Sequence, residues 1–434
     1  METLRPGQAG YDAARRVWNG MIDRRPRVIA RCASVADVVE AVRTSRELDL
    51  EIGVRCGGHS IAGHAVPDDG LMIDLTPMGA VHVDPARRRA VVQGGALLGA
   101  LDREAQRYGL ATTAGNVSHT GVGGLTLGGG MGWLARQYGL ACDNVESYQV
   151  VTADGSVVRA AADEHPDLFW ALRGGGGNFG IVTSFEFRLH RIGTQALRTE
   201  LTYPIDRAAE VLRGWRDLSA SAPRAATFEA SIGSDAVTVG YVWVGDPDRG
   251  QRLLASLRVL GRPAESRVEA MSYLDLQRVD DSAQDHSYRR YWKGHYFRAL
   301  YDEAIDELVA GGGPLQPSVS LQAYGGAIAD VPDDAAAFAH RGTRYEYVAA
   351  TRWSDPDEDE ARMTAARQAA ARIEPFAAGA YVNALGDEGE AGVRRAYSPA
   401  KLARLTAVKD AYDPDNAFHL NQNIRPTSAA AITV

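Results

Sequence analysis

Cysteine, lysine and long apolar runs are scarce in this sequence. Only three cysteines, Cys32, Cys56 and Cys142, stand among 434 residues. They form no C-x-x-C pair, so no disulfide framework is expected and a reducing compartment fits best. Lysine occurs only at positions 293, 401 and 409, and without a G-K-[ST] sequence a phosphate-binding P-loop is excluded. The chain has no run of about 18 apolar residues and no signal-peptide pattern, so we expect a cytoplasmic protein without a membrane partner.

An excess of basic charge is also missing. The 47 lysine and arginine residues are outnumbered by 55 aspartate and glutamate residues, which gives a net charge of −8. A nucleic-acid partner is not expected, because neutralising phosphates requires a basic face. With 24% charged and 45% hydrophobic residues the composition is that of a globular protein, and the length predicts two or three domains. The sequence leaves the oligomeric state open.

Glycine is abundant, with 46 residues, and its runs are concentrated between positions 53 and 180. In the same half of the chain strand and helix patterns alternate, and the first strand, helix and strand predict a βαβ unit. Ser34 is the expected N-cap of the first helix. The predicted strands cover 28–32, 51–55, 89–93, 145–152, 156–160 and 181–189, and the predicted helices begin at 35 and 97.

The second half has longer elements and fewer glycines. Its pattern predicts an antiparallel sheet covered by helices, and therefore an α+β protein. The predicted strands cover 197–203, a hairpin over 227–243, 319–324 and 345–353, and the predicted helices cover 206–220, 249–260, 358–373 and 399–411.

Three glycine runs indicate a cofactor-binding site. They lie at 57–58, 121–132 and 174–180, and paired glycines after a strand let backbone N–H groups approach an anionic group such as a pyrophosphate. Turn formation is the alternative for any single run, but turns do not require three runs in one half. The G-x-G-x-x-G from 175 to 180 precedes a strand instead of opening a helix, so a nicotinamide-dependent oxidoreductase is a poor fit.

The motifs, taken in order, resemble the FAD-binding half of the berberine-bridge-enzyme-like flavoproteins of the vanillyl-alcohol oxidase superfamily, which carry a PCMH-type FAD-binding domain. The motifs are R-C-G-G-H-S from 55, V-S-H-T-G from 117, G-G-L-T-L-G-G-G from 123, Y-G-L-A-C-D-N from 138, L-F-W-A-L-R-G-G-G-G-N-F-G from 168, D-P-D-N from 413 and N-Q-N-I from 421.

The resemblance implies a two-part FAD-binding domain, formed by 1–195 and by a C-terminal segment over 399–434 that returns to it. A substrate domain over 196–398 lies between. It also implies hydride transfer from substrate to flavin N5, reoxidation by O2 to H2O2, and a covalent bond from His59 to the flavin 8α carbon. The implied FAD contacts are Val54, Arg55, Cys56, Gly57, Gly58, His59, Ser60, His64, Gly115, His119, Thr120, Gly121, Gly123, Gly124, Gly128, Gly180, Ile181, Val182, Asn421 and Asn423.

Two positions depart from the family pattern. Val117 stands where many members have a cysteine that forms a second flavin link. A single link is therefore expected, as in the bacterial branch that includes 6-hydroxy-D-nicotine oxidase. Cys142 is interpreted as a buried thiol. Ala384 stands where sugar-oxidising members have a tyrosine base, which leaves Tyr381 as the first candidate to replace it.

Other candidates for the catalytic groups are weaker. Tyr324 and Gln322 are expected to share one face of a strand. His286 and His295 are possible bases, although a loop or core position is the more frequent role for such histidines. The histidines form no H-E-x-x-H pattern, so no metal site is expected.

The sequence therefore favours an FAD-dependent oxidase for a small amine, phenol or alcohol, with the substrate and O2 as its partners. Loss of the tyrosine base favours an amine or an acidic phenol, because a neutral amine can lose hydride without a base. Thr120 replaces an aliphatic residue beside the flavin and is expected to leave room for O2. The alternative is a flavin-containing binding or resistance protein that sequesters a small aromatic compound.

Overall fold

The computed structural model describes residues 1–282, 286 and 288–430. Eleven strands of the described chain precede residue 192: β1 Glu2–Leu4, β2 Val28–Arg31, β3 Ile52–Arg55, β4 Leu71–Asp74, β5 Val81–Asp84, β6 Arg89–Gln93, β7 Leu110–Ala111, β8 Val145–Val151, β9 Val157–Ala161, β10 Ile181–Arg188 and β11 His190–Arg191. Seven described strands follow: β12 Gln195–Pro204, β13 Ala226–Ile232, β14 Ala236–Val244, β15 Glu265–Ser272, β16 Arg289–Phe297, β17 Ser318–Ala323 and β18 Tyr345–Trp353.

Helices lie between the strands. The longer ones are Val35–Glu47, Leu98–Gln106, Pro166–Leu172, Ala208–Ala220, Asp302–Val309, Asp359–Ile373, Gly389–Ala396 and Pro399–Tyr412. The shorter ones are Tyr11–Ala14, Val122–Leu127, Ala135–Tyr138, Pro247–Gln251, Leu254–Leu257, Tyr273–Leu276, Ala327–Asp330 and Thr427–Ala430. Within the described ranges, no helix has the length and apolar character needed to cross a membrane.

The first half of the chain builds two main sheets. The first has the strand order β1-β2-β4-β3, and β4 pairs in parallel with both β2 and β3. The predicted βαβ unit is therefore present, but β4 lies between its two strands. Ser34 caps the helix Val35–Glu47 and accepts a hydrogen bond from the Asp37 N–H. The second sheet is antiparallel, in the order β5-β6-β10-β8-β9.

The second half forms an antiparallel sheet of seven strands in the order β15-β12-β14-β13-β17-β18-β16. One face packs under helices Ala208–Ala220 and Asp359–Ile373, with Phe228, Leu321 and Tyr347 in the shared core. The other face turns toward the glycine loops. Because side chains alternate along a strand, the residues between those core positions point to that opposite face. The predicted α+β class and the helix-covered antiparallel sheet are confirmed.

Some predicted elements differ from the structure. The helix predicted over 249–260 is two short helices, Pro247–Gln251 and Leu254–Leu257, followed by a 3₁₀ turn. Strands β1, β4, β5, β7, β11, β15 and β16 were not predicted. Of these, β15 is an edge strand whose side chains are all partly or fully exposed, so it has no alternating apolar pattern.

The C-terminal segment packs against the third glycine loop. Lys409 is completely buried, donates hydrogen bonds to the carbonyls of Asn178 (2.8 Å) and Phe418 (3.0 Å), and pairs with Asp413 at 2.6 Å. Asn178 in turn accepts a hydrogen bond from the Ile424 N–H. Residues 431–434 of the predicted segment lie outside the described residues, and the domain boundaries stay a prediction.

Candidate active site

A cavity of about 500 Å³ lies between the glycine loops and the uncovered face of the seven-stranded sheet. The loops around Gly57, Gly121 and Gly176 form one side. Trp292 on β16, with Glu346 and Val348 on β18, forms the other. The segment 381–385 also lines the cavity. Residues from both halves of the chain therefore enclose a single space.

Two of the glycine loops touch each other through their backbones. A Cβ atom on Gly57 would lie 2.2 Å from the Gly121 N, and one on Gly121 would lie 2.3 Å from the Gly57 N. Gly124 and Gly177 differ, since each lines the cavity and a Cβ there would meet no protein atom within 4 Å. Packing against other protein atoms therefore does not require glycine at these two positions. A bound group that approaches the backbone closely would require it.

Buried polar atoms without partners also face this space. Both His64 and Asn421 line the cavity, and His64 Nε2 and Asn421 Oδ1 are buried without a hydrogen-bond partner among the described residues. Burial lowers the pKa of His64 to about 4, with Arg24 adding to the shift, so its ring is neutral. Backbone N–H groups suited to a diphosphate and unpaired polar side chains together fit FAD.

Most of the predicted FAD contacts line this cavity: Val54, Cys56, Gly57, Gly58, His59, Ser60, His64, Thr120, Gly121, Gly123, Gly124, Gly180, Ile181, Val182 and Asn421. Those outside the lining are Arg55, Gly115, His119, Gly128 and Asn423. Arg55 donates to the Ala14 carbonyl, and a Cβ on Gly128 would collide with Asn383, so both serve the packing of the loops. The cofactor role of each residue stays a prediction.

His59 lies at the cavity wall in an aromatic environment. Trp18 stacks on its ring at 5.0 Å, with 14° between the planes. Burial is the main cause that lowers the pKa of His59 to about 2, and the charges of His119, His286 and Arg290 add to it. His59 is therefore neutral at physiological pH, the form in which imidazole is a nucleophile.

Tyr381 lines the cavity, and its hydroxyl accepts hydrogen bonds from the Gly130 N–H (2.9 Å) and from Asn383 Nδ2 (3.0 Å). Burial and the nearby Glu346 raise the pKa of Tyr381 far above its usual value. The segment is not a strand: Val382–Ala384 is a 3₁₀ turn, which brings both Tyr381 and Ala384 to the cavity. A protonated Tyr381 is suited to donate a hydrogen bond and poorly suited to act as a base.

Glu346 is the residue that the sequence did not indicate. Glu346 lines the cavity. Burial raises the pKa of its carboxyl group to about 7, while a hydrogen bond from Tyr324 opposes the rise. No motif surrounds Glu346, which stands in the apolar strand β18. Its alternation with Tyr345 and Tyr347, both in the core, is the only sequence signal for its position.

The remaining candidates lie around this carboxyl group or away from it. Tyr324 donates to Glu346 Oε2 at 2.6 Å, and Gln322 donates to Glu229 Oε1 at 3.2 Å; neither lines the cavity. His295 is a core residue whose Nε2 faces the Ala370 carbonyl. Burial lowers the pKa of His295 to about 4.

Comparison with known proteins identifies the class. An "FAD binding domain" family model matches residues 26–161, and a "Berberine and berberine like" model matches residues 380–425. The chain is 33% identical over 447 residues to the (R)-6-hydroxynicotine oxidase of Paenarthrobacter nicotinovorans, and the aligned region covers 98% of this chain and 96% of the relative. It is 28% identical over 446 residues to a xylooligosaccharide oxidase of Thermothelomyces thermophilus, and the aligned region covers 94% of this chain and 89% of the relative.

Solved structures agree with the family models. The 6-hydroxy-D-nicotine oxidase of Arthrobacter nicotinovorans superposes with a TM-score of 0.86 and 29% identity, over 98% of this chain and 97% of the other. A glucooligosaccharide oxidase of Acremonium strictum with a 6-S-cysteinyl, 8α-N1-histidyl FAD has a TM-score of 0.89 and 25% identity, over 98% and 97% of the two chains. The chain belongs to the berberine-bridge-enzyme-like family of FAD-linked oxidoreductases. It is an FAD-dependent enzyme of that family.

Proposed function

We propose that this enzyme is an oxidase that takes hydride from a small organic molecule and passes the electrons to O2, with H2O2 as the product. The substrate is an amine, a phenol or an alcohol, and an amine or an acidic phenol suits the site best. The observation that carries the proposal is the single cavity that joins the glycine loops to the carboxyl group of Glu346.

The glycine loops, His64 and Asn421 would hold FAD, and His59 would attach it. When bound, FAD supplies the two-electron acceptor that no side chain can provide. Val117 lines the cavity and has no group able to form a bond to the cofactor, which supports a single covalent link. Cys142 does not line the cavity and is fully buried, with its thiol 3.7 Å from Asp143 Oδ1.

Glu346 is proposed as the group that takes the substrate proton. A base works best when its pKa lies near the operating pH, and burial brings the pKa of Glu346 to about 7. An amine arrives mainly as the ammonium ion, which a carboxylate can pair with and deprotonate. The lone pair thus released stabilises the cation that develops as hydride leaves, while a phenol would lose its hydroxyl proton to the same group.

Flavin attachment is tested by acid precipitation and peptide mass spectrometry of the purified protein. We expect yellow colour in the precipitate and flavin on the peptide that contains His59. His59→Ala should release the flavin on denaturation, and the matched Cys142→Ser variant should retain it. Flavin on a Cys142 peptide, or none on any peptide, would contradict the covalent link.

Oxidase activity is tested by peroxide release with small amines, phenols and alcohols in parallel. Peroxide with an amine or a phenol, at a rate well above that with the matching alcohol, supports the proposed substrate class. Tight binding of aromatic compounds with no peroxide from any of them would favour a binding protein instead.

A further inference from the structure

A separate cavity of about 590 Å³ lies at one end of the seven-stranded sheet. It is lined by the end of helix Ala208–Ala220, by residues 298–303 and by the ends of β17 and β18. Its size is that of a small-molecule site, and it shares no lining residue with the candidate active-site cavity. We call it the arginine pocket, because four of its lining residues are arginines: Arg136, Arg216, Arg298 and Arg344.

The carboxylates that line the pocket are already engaged. Arg216 Nε contacts Asp217 Oδ1 at 2.8 Å, and Arg216 Nη1 contacts Asp302 Oδ1 at 2.5 Å. Glu303 is exposed in the first turn of helix Asp302–Val309, where a negative charge is favourable. These contacts neutralise Arg216 and leave the other three arginines without a carboxylate partner from the pocket.

The other three arginines bring uncompensated positive charge to the pocket. Within the described part of the chain, Arg136, Arg298 and Arg344 have no carboxylate at ion-pair distance. Arg136 and Arg344 approach the same point, since a Cβ on Gly325 would lie 3.9 Å from Arg136 Nη1 and 3.1 Å from Arg344 Nη1. Two positive groups this close repel each other. An anion bound between them would remove the repulsion.

Arg136 is the buried member of this group and is only 5% exposed. It donates hydrogen bonds to the carbonyls of Tyr324 and Ala222, and its Nε is buried without a partner among the described residues. Carbonyl oxygens satisfy donors but carry no net charge to balance the guanidinium. Burial is the main cause that lowers the pKa of Arg136, and Arg344 adds to the shift. A buried charge without a counter-charge is costly, and a bound anion would offset that cost.

The remaining lining indicates what kind of anion fits. The buried lining residues are mainly apolar or aromatic and include Leu300, Ala323, Tyr324 and Tyr345. Arg298 and Arg344 are exposed. The pocket therefore combines an apolar interior with guanidinium groups near its opening. Guanidinium groups bind the paired oxygens of phosphates and carboxylates, and the apolar interior suits an organic group attached to them.

We propose that the arginine pocket binds a small organic anion, whose phosphate or carboxylate group is held by Arg136, Arg298 and Arg344. The apolar part of the ligand packs against the buried lining of the pocket. This site is separate from the flavin and substrate site. The inference depends neither on the covalent link at His59 nor on the proposed substrate class.

Calorimetric titration of the full-length, FAD-loaded protein at low salt tests the proposal. We expect phenyl phosphate or benzoate to bind with a Kd of about 1 mM or lower, and the tighter of the two identifies the preferred anionic group. Inorganic phosphate and acetate, which lack the ring, should each bind about tenfold more weakly than the matching aromatic probe, because they bury no apolar surface.

Substitution of the exposed arginines tests which residues hold the anion. Arg298→Gln and Arg344→Gln should each weaken binding by about tenfold or more, because each removes a charge-assisted hydrogen bond. Arg344→Lys keeps the charge but not the planar donor pair, so its loss should be smaller. Arg252→Gln is the matched control and should bind like wild type. Arg252 is exposed, lies outside the pocket and has no ion pair among the described residues.

Modification of arginine by phenylglyoxal, followed by peptide mass spectrometry, locates the bound probe without a variant. The probe should block modification of Arg298 and Arg344 but not of Arg252, and the visible flavin spectrum should not change. Absence of binding by both aromatic probes, or unchanged affinity in the Arg298→Gln, Arg344→Gln double variant, would overturn the inference. So would a change in the flavin spectrum with both arginines unprotected, because the probe would then lie in the active-site cavity.

Discussion

Tyr324, the residue that follows strand β17, donates a hydrogen bond of 2.6 Å to Glu346 Oε2 on the neighbouring strand β18. Glu346 faces the cavity, while Tyr324 stands behind it and is fully buried. The carboxyl group is therefore held in one orientation, and its pKa is set by two opposing effects, burial and this hydrogen bond.

Glu346→Gln should lower kcat for the best amine or phenol by about 100-fold or more, the usual contribution of a general base. The substitution keeps the size of the side chain and removes its negative charge and its ability to take a proton. Tyr381→Phe is the matched comparison, because Tyr381 lines the same cavity and its hydroxyl accepts two hydrogen bonds. Steady-state peroxide release measures both. If kcat falls further in the Tyr381 variant than in the Glu346 variant, Tyr381 is the better candidate for the base.

Tyr324→Phe should move the pH dependence without abolishing activity. The Tyr324 hydrogen bond lowers the pKa of Glu346 from the value that burial alone would give, so its removal should raise that pKa above about 7. Because the base must be deprotonated, the acid limb of kcat/KM should shift to higher pH. Activity should fall at pH 7 and recover at alkaline pH. If the acid limb does not shift, Glu346 is not the group whose ionisation determines the pH dependence.

Thr120→Leu should slow reoxidation of the reduced enzyme by O2. Thr120 lines the cavity, and a larger side chain at this position would obstruct O2. We expect the reoxidation rate to fall about tenfold, which corresponds to an activation barrier about 1.4 kcal/mol higher. Thr120→Val is the matched control, since it keeps the volume and loses only the hydroxyl. Stopped-flow absorbance in air-saturated buffer measures the rate. Reoxidation of the wild-type enzyme over minutes would argue against oxidase behaviour. If the Val and Leu variants slow reoxidation equally, loss of the hydroxyl group, and not side-chain size, is the cause.

Lys409→Met should lower the free energy of unfolding by about 3–5 kcal/mol, because it leaves the buried Asp413 carboxylate without its partner. It also removes the donor to the Asn178 and Phe418 carbonyls, which join the C-terminal segment to the third glycine loop. Urea unfolding followed by fluorescence measures the change.

The control for this substitution is an ion pair of the same spacing on the surface. Arg394 and Glu390 are also four residues apart in a helix, at 3.3 Å, but both are exposed. Arg394→Gln should cost only about 0.3–0.5 kcal/mol. Similar losses for the Lys409 and Arg394 variants would show that burial does not determine the contribution of the Lys409 pair.

The sequence by itself determined the family, the α+β class and the cofactor. Glycine runs carry this information locally, because a backbone approach such as that between Gly57 and Gly121 tolerates no side chain. The helix cap at Ser34 and the hairpin of β8 and β9 are also set by neighbouring residues, and both were predicted close to their observed bounds.

Only the tertiary structure decided the chemistry of the site. Strand β4 lies between β2 and β3 because of pairing between distant segments, which no local pattern encodes. The pKa of Glu346 depends on burial between two halves of the chain. The hydrogen bond between the rings of His59 and His119 joins residues 60 positions apart. Short-range patterns specify turns, caps and strands, whereas burial and the meeting of distant side chains exist only once the chain has packed.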